Sequence, residues 1–324
     1  MDNSLTIAND DLEQLMALLM ANNGHWQKHW LARIGLFART HFVFWKFFNL
    51  PGLAKRNVAY HYDLKDSLFD QFLDPRRQYS CSYFHTASDT LADAQITKLA
   101  RLGAKLCLQP NQQVLDIGCG WGGLANALCE MQPDISVTGI TLSENQYAYA
   151  TQKAKQDQRQ HHLAFHLCDY RHQRVSFDRI VSVGMLEHDG MRHFDSYFAS
   201  IARLFAPNGV VLVHSIGVHH NAKCCNRWLN KYVFPGGYTP SLEQMTLAAG
   251  RQGLKILDME IMRGHYAETL KNGDMPFARI LQRFVRIVMN VLSACGNFTL
   301  LAGNISFAVR MGWYFNCKWP MIKM

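Results

Sequence analysis

The plainest chemistry in the sequence lies in the string VLDIGCGWGG, Val114 to Gly123. An apolar run carries Asp116 and then breaks into closely spaced glycines, which let a backbone turn sharply and approach a ligand. Gly118, Gly120 and Gly123 fit the dinucleotide pattern G-x-G-x-x-G. Gly118, Gly120 and Gly122 fit G-x-G-x-G, the nucleoside loop of enzymes that use S-adenosyl-L-methionine (SAM). Asp116 separates the two readings. A carboxylate at that strand end would repel a pyrophosphate, whereas it suits the cationic methionine portion of SAM. The next run ends in TLSENQ, where Thr141, Ser143 and Gln146 offer polar groups to a ribose and adenine. Asp169, after a third run, is placed to meet an adenine amino group. A degenerate loop with no ligand is the remaining alternative.

Such residues need a scaffold, and the sequence supplies one in a repeated strand–helix rhythm. Strands are expected at 113–117, 135–140, 163–167, 178–183 and 210–214, and helices at 124–131, 144–156 and 194–205. Residues 255–261 and 305–309 read as two further strands. The alternation predicts an α/β fold, a Rossmann-like, mostly parallel sheet of seven strands with helices on both faces. Ligands then sit at the carboxyl ends of the strands.

Composition narrows the class. Apolar residues make up 48% of the 324 and charged residues 18%, which excludes a disordered chain or a coiled coil. The 9 cysteines lack a secreted scaffold's spacing, so free thiols in a cytoplasmic protein are expected. No CxxC occurs and Cys224-Cys225 are adjacent, so no metal site is expected. The opening MDNSLTIANDDLEQL resembles neither a signal nor a transit peptide. The net charge of +8 suits an anionic partner, yet there is no basic run of the kind that binds nucleic acid.

Residues 1–56 read as a helical N-terminal region, with 57–324 as the catalytic domain. Leu31 to Leu50 places Arg33, Arg39 and Lys46 among aromatic residues, which suits either a membrane surface or packing on the main domain. The uncharged run Ile287 to Val309 is long enough to span a bilayer at about 20 residues. Its asparagines, serines and threonine favour a buried helix followed by a buried strand instead.

Read together, the motifs resemble the cyclopropane-fatty-acyl-phospholipid synthases, a family that includes the mycolic acid cyclopropane synthases. The matching strings include NVAYHYDLKDSLFDQFLDP (57–75), QYSCSYF (78–84), FDRIVSVGMLEHDG (177–190), HSIG (214–217), FPGGYTPSL (234–242) and GHYAETL (264–270). The resemblance implies a class I SAM-dependent methyltransferase that adds a methylene to the double bond of an unsaturated phospholipid acyl chain. It also implies a bound bicarbonate as base, with ligands at Cys81, Glu187, His214, the backbone of Ile216, and Tyr266. Cys295 matches a cysteine once regarded as the family's nucleophile, and a pocket role suits it better. On the cofactor side, Tyr79 and Ser80 approach the methionine end, and Gly118, Cys119, Gly120 and Gly122 form the loop. Thr141, Leu142, Ser143 and Gln146 face the ribose, while Asp169 and Tyr170 flank the adenine.

The implied chemistry accounts for those residue types. An alkene is a weak nucleophile, so the methyl must be held in line with it. The intermediate is a cation, which a nearby anion stabilises. Its proton leaves only to a positioned base. The chain departs from the pattern after Leu270, where KNGDMPFARILQRF lacks the usual tryptophan, and in the tail RMGWYFNCKWPMIKM. Rival readings are acyl C-methylation without ring closure, small-amine N-methylation, and an inactive lipid-binding relative. The expected setting is cytoplasmic and peripheral to an anionic inner membrane surface, with a homodimer left open.

Overall fold

The computed structural model describes Leu18 and residues 69–70, 73–218, 223–224 and 237–272. The chain divides into two compact units, Phe47–His265 and a second that joins Met1–Lys46 to Tyr266–Met324. In the first unit α1 (Leu91–Leu106) precedes β1 (Gln113–Ile117), α2 (Gly123–Met131), β2 (Ser136–Thr141), α3 (Glu144–Gln156) and β3 (Leu163–Leu167). Then come β4 (Phe177–Val183), the single turn α4 (Leu186–Asp189), α5 (Phe194–Leu204) and β5 (Phe205–His214). A two-stranded antiparallel pair, β6 (Lys223–Cys224) and β7 (Tyr238–Thr239), and α6 (Leu242–Arg251) follow. Residues 263–272 are helical.

All neighbouring strands of the main sheet run parallel, in the order β3-β2-β1-β4-β5. The chain winds outward one way from β1 through β2 to β3, then crosses back to β4. That reversal opens a crevice at the carboxyl ends of β1 and β4. Both faces of the sheet are covered, which is why its strands are nearly continuous in apolar residues. Val114 packs with Leu99, Leu102, Leu106 and Leu128 on one side. Leu115 and Ile117 pack with Tyr197, Phe198, Ile201 and Leu204 on the other.

Caps fix the helices near the crevice. Thr90 and Asp93 form a capping box at the start of α1, and Cys107 ends that helix in the left-handed conformation. Ser143 caps α3 by accepting from the Gln146 amide, and Ser241 forms a second capping box at α6.

Six of the seven expected sheet strands lie among the described residues, and five of them form the main sheet. Residues 255–261, expected as a strand, form none and pair with no described strand. Their apolar side chains face outward, Leu257 with 85% of its surface exposed. Asp258 and Glu260 bind Lys105 and Arg101 of α1, so ion pairs hold the segment instead of a ladder. Residues 305–309, the run 287–309 and the helix 31–50 lie outside the described residues. No described helix is long and apolar enough to cross a membrane.

Gly122 shows how tightly the loop is set. It is left-handed (φ +80°), and a Cβ there would meet the Phe165 ring at 2.8 Å. Gly122→Ala should cost about 2 kcal/mol, adding that overlap to the left-handed penalty. Urea unfolding checks this, and an unchanged midpoint would contradict it.

Candidate active site

The glycine loop after β1 forms one wall of a cavity at the crevice. Gly118, Cys119 and Gly120 line it, together with Tyr79, Ser80, Asp116, Thr141, Leu142, Gln146, Asp169 and Tyr170. Gly120 is left-handed (φ +56°), and nothing lies within 4 Å of where its Cβ would be, so the backbone is bare toward the cavity. Gly122 and Ser143 stand behind the wall, as the N-caps of α2 and α3.

Asp116 is the charged group at the centre of this wall, 1% exposed. Its Oδ2 atom is buried and finds no partner among the described residues. Burial pushes its carboxyl up to about 7, against a partial opposing pull from Lys98. Such an unsatisfied buried acceptor is costly in the free protein and suits a bound cation or donor.

The opposite end of the cavity is organised differently. Asp169 caps a single 3-10 turn, Tyr170–His172, and both its oxygens are held by the Arg171 guanidinium, at 2.8 and 2.5 Å. Burial pushes Asp169 upward, but the hydrogen bonds from Arg171 win and hold it below the usual range. Tyr170 donates to Asp189 at 2.8 Å, and burial pushes the Asp189 carboxyl up to about 7.

Of the expected base ligands, Glu187, His214 and Ile216 lie at or just beyond the ends of β4 and β5. Val183 is in register with His214, and the Gly184 amide donates to the His214 carbonyl at 2.8 Å. The turn after β4 carries Glu187, whose Oε1 accepts from the Ile216 amide at 2.5 Å. That amide is therefore committed to Glu187 in this structure. Glu187 Oε2 and His214 Nδ1 are both buried without partners among the described residues. Burial raises the Glu187 carboxyl, and the Ile216 hydrogen bond opposes the rise. Burial lowers His214 to about 4, with a further push from the Lys98 cation. Cys81 is buried, with Sγ 3.4 Å from the Ser82 carbonyl and 3.9 Å from that of Met262. Tyr266 belongs to the second compact unit, and Cys295 lies outside the described residues.

Several cavity residues escape a reading from sequence. Arg77 lines the rim in a left-handed conformation, paired to Asp70 and stacked 4.0 Å over the Tyr149 ring. His188, beside Glu187, also lines the cavity, and burial lowers it to about 4. Its signal was its place inside GMLEHDG.

A parallel sheet in this order, with a bare glycine loop after β1, defines the Rossmann-like fold of class I methyltransferases. Residues 52–307 match the family model "Mycolic acid cyclopropane synthetase", and the chain belongs to that family. The cyclopropane-fatty-acyl-phospholipid synthase of Escherichia coli K12 is 44% identical over 185 residues, 57% of this chain and 47% of that protein. The chain thus spans about half the length of that relative. Cyclopropane mycolic acid synthase 1 of Mycobacterium tuberculosis is 36% identical over 227 residues, 66% of this chain and 79% of that one. The crystal structure of mycolic acid cyclopropane synthase CmaA1 complexed with SAH and CTAB superposes with a TM-score of 0.68 at 30% identity, covering 81% of this chain and 94% of that chain.

The packing around His214 has a direct consequence. Its imidazole should stay neutral down to about pH 4 and show no titration between pH 5.5 and 7.5 by NMR. A midpoint at the ordinary value near 6.5 would contradict the buried geometry.

Proposed function

We propose that this protein transfers a methylene group from SAM to the double bond of an unsaturated phospholipid acyl chain, as a cyclopropane-fatty-acyl-phospholipid synthase. The observation that carries the reading is a set of buried polar atoms without partners among the described residues. Asp116 Oδ2 is one on the glycine-loop side, and Glu187 Oε2 and His214 Nδ1 are two more at the neighbouring strand ends. Membership of the family and the SAH held by CmaA1 support SAM as the methyl donor.

In this reading Asp116 accepts from the ammonium of the methionine end, and Ser80 and Tyr79 bound the same end. Thr141 and Gln146, linked to each other at 2.8 Å, face the ribose. Asp169 and Tyr170 take the adenine, with Arg171 fixing the Asp169 carboxylate. The methyl passes from the sulfonium to one alkene carbon, leaving SAH and a cation on the other carbon. A proton then leaves the transferred methyl, and its C–H electrons close the ring.

The unpartnered Glu187 Oε2 and His214 Nδ1 suit a small hydrogen-bonding anion. Bicarbonate held by Cys81, Glu187 and His214 would supply a base that the cation alkylates less readily than a carboxylate side chain. Burial raises the Glu187 carboxyl, and its Oε2 atom, without a partner among the described residues, is the one turned to the ion. Ile216 fixes the other oxygen of Glu187, and the neutral imidazole of His214 presents Nδ1. An amine acceptor would need no such base, which sets N-methylation behind acyl methylation. The net charge of +8 suits peripheral attachment of a cytoplasmic protein to anionic lipid, weaker at high salt. The domain reading, with 1–56 as a lipid-contacting region and 57–324 as the catalytic domain, belongs to this proposal.

The test uses purified protein, SAM and vesicles of unsaturated phospholipid, with mass spectrometry of the acyl chains. The expected product is heavier by one CH2 and has lost its double bond. Glu187→Gln should lower turnover roughly a hundredfold while SAH affinity stays unchanged. Acyl chains left intact by the unaltered protein would refute the lipid acceptor, and full turnover by Glu187→Gln would remove Glu187 from the mechanism.

A further inference from the structure

Lys98 is the most unexpected residue in the fold. It sits in the middle of α1, 1% exposed, on the face that packs against the sheet. Lysine is almost never buried without a specific partner. Here the hydrogen bonds from its Nζ go to two neutral side chains, Gln78 Oε1 and Ser80 Oγ, the latter at 3.1 Å. Both acceptors belong to the segment that walls the cavity.

That segment rests on α1 through several contacts. Gln95, one turn before Lys98, donates to the Ser80 carbonyl at 2.9 Å, and the Tyr83 amide donates to the Ala94 carbonyl at 3.0 Å. Asp74 closes the start of the segment by accepting from the Arg76 and Gln78 amides, at 3.0 and 2.6 Å. These bonds already fix the backbone. The Lys98 ammonium adds something different. It has only donors, so Ser80 Oγ must accept from it. The hydroxyl proton of Ser80 is then left to point elsewhere, and Ser80 faces the cavity. Lys98 also lies close enough to Asp116 to favour that carboxylate's charged form. The zwitterionic end of an amino acid needs a donor for its carboxylate and an acceptor for its ammonium. Ser80 and Asp116 are such a pair, and Lys98 stands behind both.

We propose that Lys98, which lines no part of the cavity, is a positioning residue. It turns the Ser80 hydroxyl outward to donate to the carboxylate of the methionine end, and it supports Asp116 as acceptor for the ammonium. This rests on the proposed placement of the methionine end between Ser80 and Asp116.

The test compares two ligands by calorimetry on the full chain: SAH, and methylthioadenosine, which lacks both the carboxylate and the ammonium. Lys98→Met should weaken SAH roughly tenfold or more and leave methylthioadenosine within about twofold. Lys98→Gln, which keeps a donor, should recover part of the loss. Ser80→Ala, which leaves the buried cation in place, should reproduce the selective loss, and the double variant should lose little more than either alone. A merely structural role would weaken both ligands together, and that result, or no loss of SAH, overturns the proposal. If Lys98→Met does not fold, Ser80→Ala decides alone: unaltered SAH binding sinks the proposal. Asp116→Asn separates the two failures. If it weakens SAH while Lys98→Met does not, only the role of Lys98 is wrong; if it too binds SAH normally, the placement of the methionine end is wrong.

Discussion

Buried polar groups without protein partners are expensive, and this fold collects several of them on one edge of one sheet. Asp116 Oδ2, Glu187 Oε2 and His214 Nδ1 all lie at or just beyond the carboxyl ends of β1, β4 and β5. Much of the surrounding architecture keeps other protein donors and acceptors from satisfying them. The sheet order reverses between β1 and β4, so no connection crosses the crevice there. The glycine loop leaves bare backbone on one side, and the 74–83 segment walls the other. The cost is visible in the carboxyls that burial has pushed upward, at Asp116, Glu187 and Asp189.

Charge is then placed by a small number of contacts. Arg171 holds Asp169 after β3, while Lys98 acts on Asp74, Cys81 and Asp116 and also on His214. One buried cation thus acts on groups from both halves of the site. Burial lowers its own pKa to about 8, so it is still largely charged near neutrality. A helix is a suitable place for such a group, because α1 is capped at both ends and packed along its length.

Much of this was legible in the sequence. The strand–helix rhythm is a periodicity, and it placed β1, β3 and α3 to within a residue. Asp116 and the glycines were legible because few chemistries need a carboxylate beside bare backbone. Gly122 and Ser143, read from the sequence as cofactor residues, are also the N-caps of α2 and α3, a role their spacing alone does not reveal. Lys98 was not legible, since a lysine in a helix ordinarily reads as solvated. Only its helical register with Leu99, Leu102 and Leu106, and with Gln95 a turn earlier, marked a polar patch on a buried face. The strand expected at 255–261 failed for a related reason. Its alternation of apolar and acidic residues matches a strand, but Asp258 and Glu260 are spent on Lys105 and Arg101.

In the proposed function the carboxyl ends of the strands serve two ligands, with Asp116 as acceptor for a cationic cofactor and Glu187 and His214 for a small anion. A crystal structure of the protein with SAH and bicarbonate tests that most directly. It should show the ammonium of SAH on Asp116, its carboxylate at Ser80, and an anion touching Glu187 Oε2 and His214 Nδ1. An SAH molecule bound elsewhere, or no anion on Glu187 Oε2 and His214 Nδ1, would contradict it.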